Sequence, residues 1–361
     1  MADKAAVRIV IYVRAISGGA GKNAVKYANI LSRHGYAVTL ACGQAPSLAQ
    51  FRPDAGVELL IFGTRKNLSA VPHLRRVLAQ YNPALCLVVD ASNLLAMLLA
   101  LPACKVRPLL VLREALSTKQ RMQMRDPVMR RVKALIHRIG YRHCDSVIAL
   151  TQEMERELLD FWRVPRDRVT RIPNGVEVMP MTGVPRQEDR IVCVARLEEQ
   201  KDIATLLRAF ALVRQDIDCR LSIAGTGRLE AELRAQAQLL KIDAAVEFLG
   251  HVDQTGPLYA SAALCVLPSR WEGFPNVVIE ALAQGTPVVA TNTPGAVEIL
   301  EGSDAGLLSE IRDVNGMAEA IRRALARAWD DNTLRARARD YSDEVLARNV
   351  AAFIDDILSI E

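Results

Sequence analysis

The sequence predicts an α/β protein of two doubly wound parallel-sheet domains, and three observations carry that prediction. Its 361 residues exceed the roughly 250–300 at which a single core stops growing, so two cores are expected. Short apolar runs alternate with amphipathic helical patterns along nearly the whole chain, the signature of βα units around a parallel sheet. Between two such series lies "MPMTGVPRQED" (179–189), with two prolines, a glycine and clustered charge, which is linker composition. The expected organisation is a first domain over 1–178, a linker over 179–189, a second domain over 190–340 and a C-terminal helix over 341–361 packing back towards the first domain.

In the first domain, "VRIVIYV" (7–13) reads as a buried strand, followed by a glycine-rich loop at 17–21 and a helix from Asn23 to His34. "YAVTLAC" (36–42), "ALCLVVDA" (84–91), "LLVLRE" (109–114) and "DSVIALT" (145–151) continue as strands, with helices around 68–80 and 92–101. "QEMERELLDFW" reads as a helix and "RVTRIPNGVEV" as a short strand and turn. In the second domain "RIVCVARL" (190–197), "RLSIAGTG" (220–227), "AVEFLGHV" (245–252), "ALCVLPS" (263–269) and "PVVATN" (287–292) are strands. Helices are expected at 202–214, 228–239, 256–261, 276–284, 294–300 and 314–327. A cleft between the domains is the expected ligand site, at the carboxyl ends of strands.

Composition narrows the class. Half of the residues are apolar and 24% are charged, an ordinary globular balance. The seven cysteines lack metal-ligand spacing, and Cys42, Cys86, Cys193 and Cys265 sit in apolar runs, which suits a reduced cytoplasm. The longest apolar stretch is broken by Pro102, so no spanning helix is expected, nor a signal segment. Residues 1–185 carry 27 Lys and Arg against 13 Asp and Glu, while 186–361 carry 19 against 28. The first half is therefore suited to an anionic partner, unless the asymmetry is drift in surface composition.

"PSRWEGFPNVVIEALAQGTPVVA" (268–290) sets Glu272 just past a strand and Glu280 a turn into the next helix, with Asn276 as its cap and Gly285 as its stop. A helix start offers free amides and a positive dipole end, which suits phosphate, and flanking carboxylates accept from hydroxyls. Together they fit a sugar nucleotide. This stretch resembles the signature of glycosyltransferase family 4, retaining enzymes of the GT-B fold, in which two Rossmann-like domains face a central cleft. "ISGGAGK" (16–22), "IPNGVE" (172–177), "VARLEEQKD" (194–202), "LSIAGTGRLEAEL" (221–233) and "FLGHV" (248–252) match in order.

The resemblance implies that Glu272 holds donor-sugar hydroxyls near the reacting carbon, helped by backbone amides of Gly273, Phe274, Pro275 and Asn276 as far as each has one, and that Glu280 holds the ribose. It implies that Arg196 and Lys201 grip the diphosphate and stabilise the leaving group, a role that cations past a strand's carboxyl end can fill. Solvated charges beside Glu198 and Glu199 are the bland alternative. Gly225 and Gly227 would let the chain approach the nucleotide, although a strand-to-helix turn also explains them. His251 and Val252 fall where the family contacts the base, and Gly18 and Gly19 where it closes on donor phosphate and acceptor.

Rival motifs fit less well. "SGGAGKN" looks like a nucleotide triphosphatase P-loop, yet Ile16 replaces its first glycine and Asn23 its magnesium-binding hydroxyl. "GTGRLE" has Glu230 where a dinucleotide motif needs glycine, and "DID" at 216–218 sits between a helix and a strand rather than in a metal motif. Where many family members have a sugar-contacting histidine, this chain has "LREALST" (112–118); Arg113 and Glu114 are the acceptor-side candidates, and a strand-end salt bridge explains them equally well.

The implied activity is retaining transfer of a hexose or N-acetylhexosamine, with the leaving diphosphate helping to deprotonate the acceptor on one face. The donor expected is a nucleotide-sugar, a UDP-sugar favoured over GDP-mannose, and the acceptor a lipid-linked or envelope glycan. No metal or other cofactor and no nucleic acid is expected. A non-catalytic nucleotide-sugar-binding protein is the alternative class. Residues 119–143 hold eight Lys and Arg and one acid, Asp126. From Pro127, the apolar Val128, Val132, Leu135, Ile136 and Ile139 share one helical face. Arg130, Arg131, Lys133 and Arg138 would lie on an anionic cytoplasmic leaflet, making the protein cytoplasmic and peripheral on the inner membrane. A helix burying its apolar stripe and solvating its basic face is the alternative.

Overall fold

Alternation of apolar strands and amphipathic helices resolves into two separate parallel sheets. The computed structural model describes residues 4–45, 52–117, 127–178 and 183–359, the side chains of 127–130 and 133 lying outside the description. One unit comprises Met1–Asn174 with Leu346–Glu361, the other Gly175–Val345.

In the first unit the strands are β1 (Arg8–Ala15), β2 (Ala37–Gln44), β3 (Val57–Ile61), β4 (Leu85–Val89), β5 (Leu109–Arg113), β6 (Ser146–Ala149) and β7 (Val169–Arg171). Their order is β3-β2-β1-β4-β5-β6-β7, all parallel. Central β1 is flanked by β2, where Val10 faces Thr39, and by β4, where it faces Cys86. Ile9, Ile11, Leu85 and Leu87 are wholly buried, the continuous apolar pattern of strands covered on both faces. The C-terminal helix Asp343–Ile357 adds Leu346, Val350 and Ile354, spaced four apart, to this core. Its Asp355 is bonded by Lys4 at 2.8 Å, by His34 at 2.8 Å and by Tyr36.

The second unit repeats the winding with β8 (Gln187–Val194), β9 (Arg220–Ala224), β10 (Val246–Gly250), β11 (Ala262–Leu267), β12 (Val288–Thr291) and β13 (Gly306–Ser309). Their order, β10-β9-β8-β11-β12-β13, is also all parallel. In both sheets the order reverses beside the first strand, so a crevice opens beyond the carboxyl ends of β1 and β4 and of β8 and β11. Ile191, Leu206, Phe210, Leu221 and Leu264 are fully buried in the second core.

The structure corrects several expected boundaries. Edge strands β3 and β13 escaped the sequence reading, because each is short, has one neighbour and is only partly buried. β8 opens at Gln187, inside the stretch read as linker. The first helix runs Gly18–Arg33, so Gly18 and Gly19 form its opening turn instead of a preceding loop. Close packing bears on Gly21 in this helix start, where a Cβ would lie 2.7 Å from the Ile16 Cα. "QEMERELLDFW" is one α-helical segment, Gln152–Arg156, running into a π turn over Glu157–Phe161.

Candidate active site

The loop after β8 carries Arg196 and Lys201, and the loop after β11 carries Glu272, so the switch point of the second sheet brings these three to one edge. The two loops are bonded along their length. Arg270 N donates to Gln200 O at 2.8 Å, and Gln200 Nε2 donates to Trp271 O at 2.9 Å. Arg270 Nη2 reaches the buried Asp202 at 3.0 Å. Lys201, held between Gln200 and Asp202, forms an ion pair with Glu272. The same Glu272 oxygen accepts from Ser269 Oγ at 2.6 Å. Glu272 is 7% exposed, which strengthens charge-assisted bonds relative to water. Arg196 donates to Gln200 Oε1 at 3.3 Å, while Glu198 and Glu199 bind Arg228 at 2.8 and 2.9 Å. The acidic neighbours of the two cations are thus directed to a third cation.

The adjoining helix is Asn276–Ala283, its cap position on Pro275, so Asn276 opens the helix rather than capping it. Gly285, at φ +78°, ends it as expected. Glu280 accepts from Tyr259 at 3.4 Å. Burial first, then the Glu280 charge, raise the Tyr259 hydroxyl well above its ordinary pKa, so it remains a donor. Phe274 turns its ring to Tyr341, 5.3 Å between centroids.

Gly225 and Gly227 have a cause inside the protein. A Cβ on Gly225 would fall 1.9 Å from Ala195 O, and one on Gly227 2.3 Å from Leu197 O. Leu197 N donates to Thr226 O at 3.0 Å, so this turn is fastened to the Arg196 loop, in keeping with the strand-to-helix alternative. Gly225 N also donates to Gly250 O at 2.7 Å, which sets His251 and Val252 on the same sheet edge. His251 is exposed and 3.1 Å from Asp253.

In the first unit Arg113 and Glu114 at the end of β5 are buried, at 1% and 3% exposure. The Arg113 guanidinium bonds Asn174 and, at 3.3 Å, the Glu114 main-chain oxygen, and lies 5.3 Å from the Tyr27 ring centre. Glu114 accepts from the Tyr141 hydroxyl. Neither charge faces solvent. Asn23 is buried and donates to Gly19 O at 2.8 Å, bracing the helix start where a P-loop would carry its hydroxyl. Asp216 pairs with Arg322, and Asp218 with Arg214, which accounts for "DID" as a charged loop. Among the described residues no three His, Cys, Asp or Glu side chains group as metal ligands. All seven cysteines are free.

Sequence reasoning missed Gln200, Asp202, Ser269 and Arg270, which fasten the two loops, although all lie inside motifs it singled out. It also missed Gly295, where a Cβ would fall 2.5 Å from Pro275 Cδ and 2.7 Å from Gly273 O. The "TPG" at 293–295 was the available signal. Arg130 and Lys133 have side chains outside the described set, whereas Arg131 and Arg138 are exposed.

Residues 17–179 match the family Glycosyltransferase Family 4, and residues 188–327 match Glycosyl transferases group 1. An uncharacterized glycosyltransferase of Haemophilus influenzae is 27% identical over 318 residues, 84% of this chain and 86% of its own. The N-acetylgalactosamine-N,N'-diacetylbacillosaminyl-diphospho-undecaprenol 4-alpha-N-acetylgalactosaminyltransferase of Campylobacter jejuni is 25% identical over 276 residues, 74% of each chain. HepE of Anabaena, solved in complex with UDP and glucose, superposes with a TM-score of 0.79 at 19% identity, covering 97% of this chain and 100% of its own. Two parallel doubly wound units with this likeness define the class, the GT-B fold. The chain belongs to the group 1 glycosyltransferases, family 4.

Proposed function

We propose that this glycosyltransferase moves a hexose or N-acetylhexosamine, with retention at the anomeric carbon and without a metal ion, from a UDP-sugar to a lipid-linked or envelope glycan acceptor at an anionic membrane surface. The observation that carries the reading is the Lys201–Glu272 pair at the switch point of the second sheet, with Arg196 on the same loop. When a donor enters, the carboxylate of Glu272 accepts from sugar hydroxyls. Lys201 and Arg196 turn their charge to the diphosphate and stabilise it as it leaves, work done elsewhere by a divalent cation. Glu280 accepts from the ribose. The ion pair and the Ser269 hydrogen bond hold the two side chains beside the donor's place before it arrives, and donor binding exchanges the ion pair for contacts with the diphosphate and the sugar.

The UDP and glucose bound by HepE support a UDP-sugar over GDP-mannose. The diphospho-undecaprenol in the Campylobacter enzyme's name supports a lipid-linked acceptor. The test is a thermal-shift screen of the purified chain with UDP-glucose, UDP-N-acetylglucosamine, UDP-galactose, GDP-mannose and ADP-glucose, followed by measurement of nucleoside diphosphate release. A donor at a hundred times its dissociation constant adds about 2.7 kcal/mol to stability. Stabilisation by a UDP-sugar with UDP release in chelator supports the proposal; stabilisation without release supports a non-catalytic binder, and no response to any sugar nucleotide overturns it.

A further inference from the structure

The helix Pro127–His143 does not bury its apolar stripe. Val132, Leu135, Ile136 and Ile139 are between 39 and 59% exposed, where inward packing would close them off. On the neighbouring helix Leu94–Ala100, Leu95 and Leu99 are exposed in the same way. The two helices approach at Gly140, where a Cβ would lie 2.6 Å from Leu94 Cδ2, and beside that contact they leave a shallow, mainly apolar crevice open to solvent, with Leu95, Leu98, Ile136 and Ile139 in its wall and His137 as its one titratable side chain among the described residues. Six exposed aliphatic side chains in two adjacent stripes exceed the scattered apolar residues of an ordinary surface.

Charge decides what covers this face. Residues 91–107 and 127–143 contain no Asp or Glu, and between them seven Lys and Arg; Arg131 and Arg138 are exposed on the same helix as the apolar stripe. Arg107 is taken up by Asp145, but an apolar stripe that carries only cations on its own helix matches a bilayer with anionic headgroups, whose phosphates meet the arginines while the acyl region receives the aliphatic groups. We infer that the Val132–Ile139 stripe and the Leu95–Leu99 stripe insert into an anionic membrane, with an acyl chain seated in the crevice between them. This inference rests on the membrane-bound reading above and deepens it: attraction of the basic face gives way to insertion, with the arginines as flanking anchors.

The two modes separate by salt. Screening shortens the reach of charge to a few ångströms at high salt and leaves apolar insertion in place. The full chain is floated with phosphatidylcholine vesicles, with and without phosphatidylglycerol, at low and high salt. Wild type is expected on phosphatidylglycerol vesicles at both. Changing Val132, Leu135, Ile136 and Ile139 together to Ser should lower high-salt partitioning by about tenfold or more, with UDP-induced thermal stabilisation unchanged as the check on folding. Arg131→Gln with Arg138→Gln should lower low-salt binding alone. A second variant, Leu135→Trp, should show extra fluorescence quenched by brominated acyl chains. Binding that salt abolishes, unaltered by the Ser changes and with no such quenching, overturns insertion and leaves electrostatic attachment standing. Absence of binding to phosphatidylglycerol vesicles at every salt overturns both.

Discussion

At Gly18 and Gly19, beside β1 of the first unit, a Cβ would meet no heavy atom within 4 Å, whereas at Gly225 and Gly227, beside β9 of the second, it would strike the main chain of Ala195 and Leu197. Both pairs follow a strand's carboxyl end in sheets of the same winding. In the second unit the space is filled by the protein itself, because the loops after β8, β9 and β11 are bonded to one another and hold Lys201 on Glu272. In the first, the helix start stands open, and charge is spent differently: Arg113 is sealed inside, and exposed arginines sit beside exposed aliphatic residues. One winding thus supports a preassembled polar site and an open, basic surface. What differs is where backbone contacts backbone.

The largest expected effect breaks the second unit's site. Lys201→Ala and Glu272→Gln should each lower nucleoside diphosphate release by on the order of 10²–10³, while Arg131→Gln with Arg138→Gln leaves the rate with a soluble acceptor unchanged. Comparable losses from both sets would erase the distinction between site and surface, and restoration of Lys201→Ala by manganese would show a metal able to take the lysine's part.

A smaller effect sharpens the contrast between the glycines. Gly225→Ala combines overpacking with an unsuitable φ of +139° and should cost on the order of 3 kcal/mol. Gly18→Ala, strained only by its φ of +57°, should cost about 1–2 kcal/mol. Denaturant midpoints compare the two, and equal losses would mean that the first helix start is as tightly enclosed as the Gly225 turn.

The smallest effect is confined to acid. Burial works against ionisation of Asp355, but hydrogen bonds from Lys4, Tyr36 and His34 outweigh it and hold the carboxyl down at about 2. A depressed native pKa contributes stability at neutral pH that is lost as pH falls from about 4, the unfolded value, through about 2. Asp355→Asn should therefore melt below wild type at pH 7, with the gap closing towards pH 2. A gap that persists unchanged in acid would show that the loss on substitution does not come from the charge of Asp355.

Local pattern made most of this protein legible in its sequence. Strand cores announce themselves by unbroken apolar runs, as in β1 and β4. The strand, turn and helix around Glu272 and Glu280 are consecutive in the chain, so their juxtaposition follows from geometry that neighbours alone impose. The resemblance to family 4 was legible for the same reason, its motifs being short and contiguous. What the tertiary structure decided were facts that depend on residues far apart in sequence. Lys201 meets Glu272 because β8 and β11 are adjacent in the sheet; Gly225 is required because Ala195 lies against it. The stripe from Val132 to Ile139 has the same helical spacing whether it packs inward or faces out. Periodicity shows that a face is apolar, but its burial depends on what the remaining chain places against it, and here the helix Leu94–Ala100 covers it only in part.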